Sequence, residues 1–223
     1  TYNLWKGFAT QPLGQSDFKE RCSLAIKHLF EVACSENEEH FNYLISWIAH
    51  LFQNPAKKPP VAVVFHGEKG VGKTIIADIL KQLIGHQHAI SVSNAKQLTS
   101  NFNAHLEQCL LIVAEEAFFS GDKRVESWMK EIITGKQMVI EKKGMNAFQI
   151  DSFSRLMVIG NADQLVVATR DERRYFVLNI SIRNQRDTRY FDDLFDQLKK
   201  DHGAGYRALM QFFLTYDLSA FDV

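Results

Sequence analysis

Cysteine is scarce: Cys22, Cys34 and Cys109 are the whole supply in 223 residues. An odd count in apolar surroundings, with no metal-ligand spacing, excludes a disulfide framework and fits buried thiols in a reducing compartment. Proline is almost confined to one place, because three of the four lie in Asn54-Pro-Ala-Lys-Lys-Pro-Pro60. That stretch breaks any helix and marks the expected boundary between segments. No run approaches the roughly eighteen consecutive apolar residues that would span a bilayer. No basic-then-apolar leader opens the sequence, so a cytoplasmic location is expected. Net charge is missing too, since 26 Lys+Arg balance 26 Asp+Glu. That balance argues against a protein that coats DNA non-specifically, but not against a ring with a locally basic lining. Internal repeats and low-complexity tracts are absent.

What the chain has is apolar and aromatic mass, 46% and 12% of residues, enough to bury a core without disulfides. Residues 17–52 carry apolar positions at helical spacing, with a polar turn near Ser35 to Glu39. Past the prolines the pattern changes. Val61–Phe65 reads as a buried parallel strand, Thr74–Ile84 as a helix, and Cys109–Ala114 and Leu156–Ile159 as further strands. Glu126–Thr134 reads as a helix, residues 136–153 as a β-hairpin turning at Lys143-Gly-Met-Asn146, and the chain from Arg189 on as helical. Strands with separated connections predict an α/β fold with a parallel sheet core. The expected division is an N-terminal helical subdomain (1–58), a core with the hairpin (59–183) and a C-terminal helical segment (184–223).

The most specific motif is Gly67-Glu-Lys-Gly-Val-Gly-Lys-Thr74, which matches G-x-x-x-x-G-K-[ST] between a strand and a helix. Glycines let such a loop turn successive N–H groups onto phosphate oxygens beside the positive end of a helix. Gly67, Gly70, Val71, Gly72, Lys73 and Thr74 are therefore the candidate nucleotide-binding residues. Lys73 serves the β- and γ-phosphates, and Thr74 offers a hydroxyl to Mg²⁺. Lys69 is either a helper at the phosphates or a solvent-facing loop lysine. Leu110-Leu-Ile-Val-Ala-Glu-Glu116 ends a strand in two carboxylates. Glu115 is assigned to the magnesium shell and Glu116 to the general base that orients water, a pairing that suits hydrolysis. Asn161, after Gly160 at another strand end, can donate to the γ-phosphate or hold the water, and it lacks a charge that would repel phosphate.

The order of these motifs, followed by Met129-Lys-Glu-Ile-Ile-Thr-Gly135, a Lys-Lys turn and Arg173-Arg174, resembles superfamily 3 helicases, replicative ATPases on an AAA+-type core. The likeness is to the helicase portion of phage and prophage primase–helicases, the poxvirus D5-like group. Asn3-Leu-Trp-Lys-Gly-Phe8 and Trp47-Ile-Ala-His-Leu-Phe-Gln-Asn-Pro55 also look like that group's lead-in. The resemblance spans about residues 3–182. It implies a P-loop ATPase that uses ATP and Mg²⁺ and works as a homo-oligomer, most often a hexameric ring, in a phage-infected host or from a prophage. Single-stranded or forked DNA would be its track, with a primase or primase–polymerase module upstream in the same polypeptide. It also implies that Met138–Ile150 project into the ring's channel, with Lys142 and Lys143 contacting DNA phosphate. Gly144 stands where many animal-virus members have histidine, leaving Met145 or Phe148 as the apolar contact. Arg174 is implied as the finger reaching a neighbour's ATP, with Arg173 and then Arg170 behind it; ion pairing with Asp171 or Glu172 explains at least one of the three.

Two rivals remain. One is an AAA+-like ATPase that remodels or loads a protein partner, and the other is a nucleotide-gated DNA-binding module without turnover. The pair His86 and His88 shows no third ligand and reads as a polar loop.

Overall fold

In a computed structural model of the chain, residues 5–94, 102–115, 123–161 and 173–222 are described. In chain order the elements are α1 (Phe18–Arg21), α2 (Ser23–Lys27), a π-helical turn (His28–Ala33), α3 (Glu38–Gln53), β1 (Ala62–His66), α4 (Lys73–Ile84) and β2 (Ala89–Val92). A 3₁₀ turn (Ala104–Leu106), β3 (Leu111–Glu115), α5 (Lys123–Thr134), β4 (Gln137–Ile140), β5 (Phe148–Asp151), β6 (Arg155–Gly160), β7 (Tyr175–Asn179) and α6 (Thr188–Thr215) follow. Among the described residues five strands form a parallel sheet in the order β2-β3-β6-β1-β7, while β4 and β5 pair antiparallel by themselves.

The chain has an α/β fold, and its sequence accounts for the sheet. A parallel strand covered on both faces must be apolar at every position. Ala62 to Phe65 of β1 and Leu111 to Ala114 of β3 are all fully buried. Their side chains alternate between two layers. Val63, Phe65, Leu111, Val113, Met157 and Ile159 pack with α3, α4 and α6, whereas Ala62, Val64, Ile112, Ala114, Leu156 and Val158 pack against α5 and the hairpin.

Helix α3 starts where the Asn37 side chain accepts from His40 N at 2.9 Å, with Glu38 and Glu39 in the first turn, and it stops before Pro55. Its Trp47 is fully buried, and the indole N–H donates to Val61 O at 2.9 Å, pinning α3 to the start of β1. Helix α6 is interrupted at Lys200–Gly203, where Asp201, His202 and Gly203 all take positive φ. Among the described residues no helix is long and apolar enough to cross a membrane.

Candidate active site

The three strand ends expected to carry chemistry lie side by side. Strand β6 sits between β1 and β3, with His66 level with Gly160 and Glu115 level with Ile159. The glycine loop leaves β1, Asn161 follows β6, and Glu115 ends β3, so Asn161 stands between the loop and the carboxylate. This is the carboxyl edge of the sheet, where open α/β folds bind ligands. A cavity of about 340 Å³ opens there, lined by residues Lys69 to Ile75 together with Glu115, Ile159, Asn161 and Phe191.

The loop turns through positive φ at Gly70 (77°) and Gly72 (96°) and feeds straight into α4 at Lys73. Lys73 is only 6% exposed. Its ammonium donates to Gly67 O (2.7 Å), Glu68 O (2.6 Å) and Asn161 Oδ1 (3.3 Å). That tie draws Asn161 and the loop to one point. Thr74 beside it is exposed and Glu115 half-exposed. An ammonium, the amides of a glycine loop and a helix N-terminus form a donor set that suits an anion. A hydroxyl and a carboxylate supply the hard oxygens that Mg²⁺ takes. Glu116 lies outside the described residues, as do Arg170, Asp171 and Glu172.

The two remaining arginines are not part of this cavity. Ala62 pairs with Tyr175 and its N–H donates to Arg174 O at 2.8 Å, so Arg173 and Arg174 stand at the opposite end of the sheet. Five to six residues of strand, roughly 15–20 Å, separate them from the loop of their own chain.

The hairpin leaves from that same far end. Ser152 N donates to Lys136 O at its base, and Arg155 then opens β6 level with Leu111. Met138 and Ile140 are buried against α5. The two lysines at the turn differ. Lys142 is held: its ammonium pairs with Glu107 at 2.7 Å and lies 5.3 Å above the Phe148 ring. Lys143 is exposed, like Met145, which is 61% exposed beside Gly144 at φ 78°. Asn103 clasps the hairpin with its amide donating to Val139 O and its carbonyl accepting from Glu141 N, both at 2.8 Å. Sequence reasoning missed Asn103 and Glu107, and only a residue lying 35 or more positions downstream gives them meaning.

Of the two histidines in the expected polar loop, only His86 is exposed. His88 is 2% exposed, sits beneath the Trp5 ring and shares Nδ1 with Gln108 O at 2.8 Å, because the residue before β2 turns inward. Among the described residues no three His, Cys, Asp or Glu side chains gather as a metal site. The three cysteines are buried, and burial pushes each thiol up to about 12, which keeps them unreactive. Arg155 is also buried, its guanidinium donating to Asn54 O at 3.0 Å and to Lys57 O past the end of α3. Desolvation pushes it down to about 9 and, with the Arg155 and Lys57 charges adding, pushes nearby His50 down to about 4.

Residues 65–174 match the model of a family described as a family of unknown function (DUF5906). Over 158 residues the chain is 26% identical to a DNA primase-polymerase of Nitratiruptor phage NrS-1, a match covering 69% of this chain and 21% of that protein. The A-form apo structure of the NrS-1 C-terminal region superposes with a TM-score of 0.75 at 20% identity, over 97% of this chain and 50% of that one. A second apo structure of that region gives 0.73 at 20% identity, over 94% and 48%. The chain thus spans about a fifth of the curated relative and half of the solved region, and the structural likeness extends the α/β fold over nearly its whole length.

Proposed function

We propose that this chain is the ATP-hydrolysing motor part of a phage DNA-replication protein, a P-loop ATPase of the superfamily 3 type. One observation carries the reading: Lys73, Thr74, Glu115 and Asn161 converge on a single cavity at the carboxyl ends of three adjacent parallel strands. The similarity to a phage primase-polymerase supports the replication setting. A primase or primase–polymerase module is the proposed companion in the same polypeptide.

The residues present fit Mg·ATP. Lys73 and the loop amides from Gly70 to Thr74 would hold the phosphate chain, Gly67 N–H being turned to Gly160 O, and Thr74 and Glu115 would hold the ion. The chemistry Mg²⁺ would supply there is neutralisation of phosphate charge. Lys73, already desolvated, contributes a cation whose attraction water does not dilute. Asn161 orients a water without adding negative charge, and Glu116 is the proposed base. Arg174, with Arg173 second, completes the site of a neighbouring chain. Their distance from the loop of their own chain supports action in trans, and with it a ring oligomer.

Lys143 is the proposed DNA-phosphate contact at the hairpin turn, and Lys142 a weaker one. The pairing of Lys142 with Glu107 favours a second reading, in which the hairpin is a braced element of a protein-remodelling ATPase. Affinity for single-stranded DNA measured against salt separates the two. Lys143→Ala should weaken binding several-fold at low salt and flatten the slope of log K against log salt by about 0.7 to 1. Lys142→Ala should do less. If neither substitution changes DNA affinity or its salt slope, the remodelling reading gains.

A further inference from the structure

The loop is tied from its outer side by a segment far away in the sequence. Lys69 O accepts from the Gln185 side-chain amide at 2.9 Å, and Gly70 O accepts from Arg186 N at 2.9 Å. Arg186 takes φ 60° to make that bond. In a trans peptide plane the carbonyl and the next N–H point in opposite directions. Holding those two carbonyls outward therefore turns the N–H groups of Gly70 and Val71 away from residues 185 and 186.

The end of the loop is closed by rings. A Cβ at Gly72 would lie 2.8 Å from His28 Cε1 and 2.9 Å from Phe191 Cε1, so both rings bear on the loop backbone. His28 opens the π-helical turn, is 1% exposed, shares Nδ1 with the Tyr190 hydroxyl at 3.1 Å, and sets Nε2 against the Gly72 backbone. Burial pushes its imidazole down to about 4, so the ring is neutral against the loop. Asp187 fixes the other side by accepting from Tyr190 N at 3.0 Å at the start of α6. Neither His28, Gln185 nor Tyr190 lines the cavity.

We propose that His28, Gln185 and Tyr190 are positioning residues that set the phosphate loop in its anion-gripping form before any nucleotide arrives. The proposal rests on the reading of the loop as a nucleotide-phosphate site and adds what holds that site ready. A loop ordered in advance charges less of its ordering entropy to the ligand. Because these residues act only through the loop backbone, they serve the polyphosphate chain and are indifferent to base and ribose.

The test is equilibrium affinity for MgATP and for magnesium tripolyphosphate, with the thermal midpoint measured alongside, in the wild type, Gln185→Ala and Tyr190→Phe. Both substitutions remove one hydrogen-bonding group from a partly exposed side chain. The expected result is a 5- to 10-fold rise in Kd for both ligands, on the order of one hydrogen bond's worth, with a single cooperative melt retained and its midpoint lowered by no more than a few degrees. Unchanged Kd values in both variants, while the wild type binds ATP, overturn the brace and leave the nucleotide site standing. A rise for MgATP alone overturns it as well, since it would place the contact at the base or ribose. A wild type that binds neither ligand fells the nucleotide reading itself.

Discussion

Lys73→Ala should lower the affinity for MgATP on the order of 100-fold and reduce hydrolysis to background. The size of the effect follows from burial. An exposed lysine near a phosphate contributes little because water and salt screen it, but Lys73 is 6% exposed and already held by three oxygens at the mouth of α4. A charge-assisted hydrogen bond is worth about 1.5–3 kcal/mol, and the desolvated ammonium faces the most highly charged part of the ligand. The substitution also releases Gly67, Glu68 and Asn161 from their common donor. Lys69→Ala is the control: Lys69 is exposed in the same loop, so its loss should cost no more than a few-fold in affinity. Titration calorimetry of the three proteins, with thermal melts to confirm folding, checks this. Equal losses in the two variants would mean that the loop attracts nucleotide by diffuse charge alone.

Trp47→Ala should remove about 3–5 kcal/mol of stability, the range for emptying a fully buried aromatic site. Among the described residues Trp47 is the largest fully buried side chain, and its indole nitrogen ties α3 to the start of β1. Against a total stability of about 5–15 kcal/mol, that loss brings the domain close to unfolding. Trp47→Phe separates packing from the hydrogen bond. It keeps most of the apolar volume but orphans Val61 O, and should cost about 1–3 kcal/mol. Urea midpoints for both variants read the difference, and near-equal losses would assign the whole effect to the Val61 bond.

The strands and the loop were legible because their signals are local. A buried parallel strand is apolar at successive positions, so Val61–Phe65 and Cys109–Ala114 stood out, and the glycine loop carries its spacing within eight residues. The observed strands, Ala62–His66 and Leu111–Glu115, differ only by the short shift that hydrogen-bond pairing imposes on their ends. The third strand, expected at Leu156–Ile159, is observed as β6, Arg155–Gly160. Strand β2 escaped because Ala89-Ile-Ser-Val92 is four residues long and lies at the sheet edge with Ser91 exposed, too short for its period to show. The break in α6 escaped because Asp201 and His202 take positive φ beside Gly203, and only the glycine announces such a bend.

At the site, the candidate residues Lys73, Glu115 and Asn161 were each visible as the residue at a strand or loop end. That β6 lies between β1 and β3, and so puts Asn161 next to Lys73, is a fact of topology that spacing along the chain does not contain. The same holds for His28 against Gly72 and for Glu107 against Lys142, contacts made by residues 44 and 35 positions apart. In each case one partner is an ordinary polar residue until folding supplies the other.

The central claim, a DNA-driven ATPase completed by a neighbouring chain, is tested most directly by ATP turnover per chain across protein concentration, with and without single-stranded DNA. The account predicts turnover that rises more steeply than protein concentration and is raised further by DNA, because it assigns Arg174 to a neighbour's site. Turnover per chain that stays constant on dilution and is indifferent to DNA would contradict it.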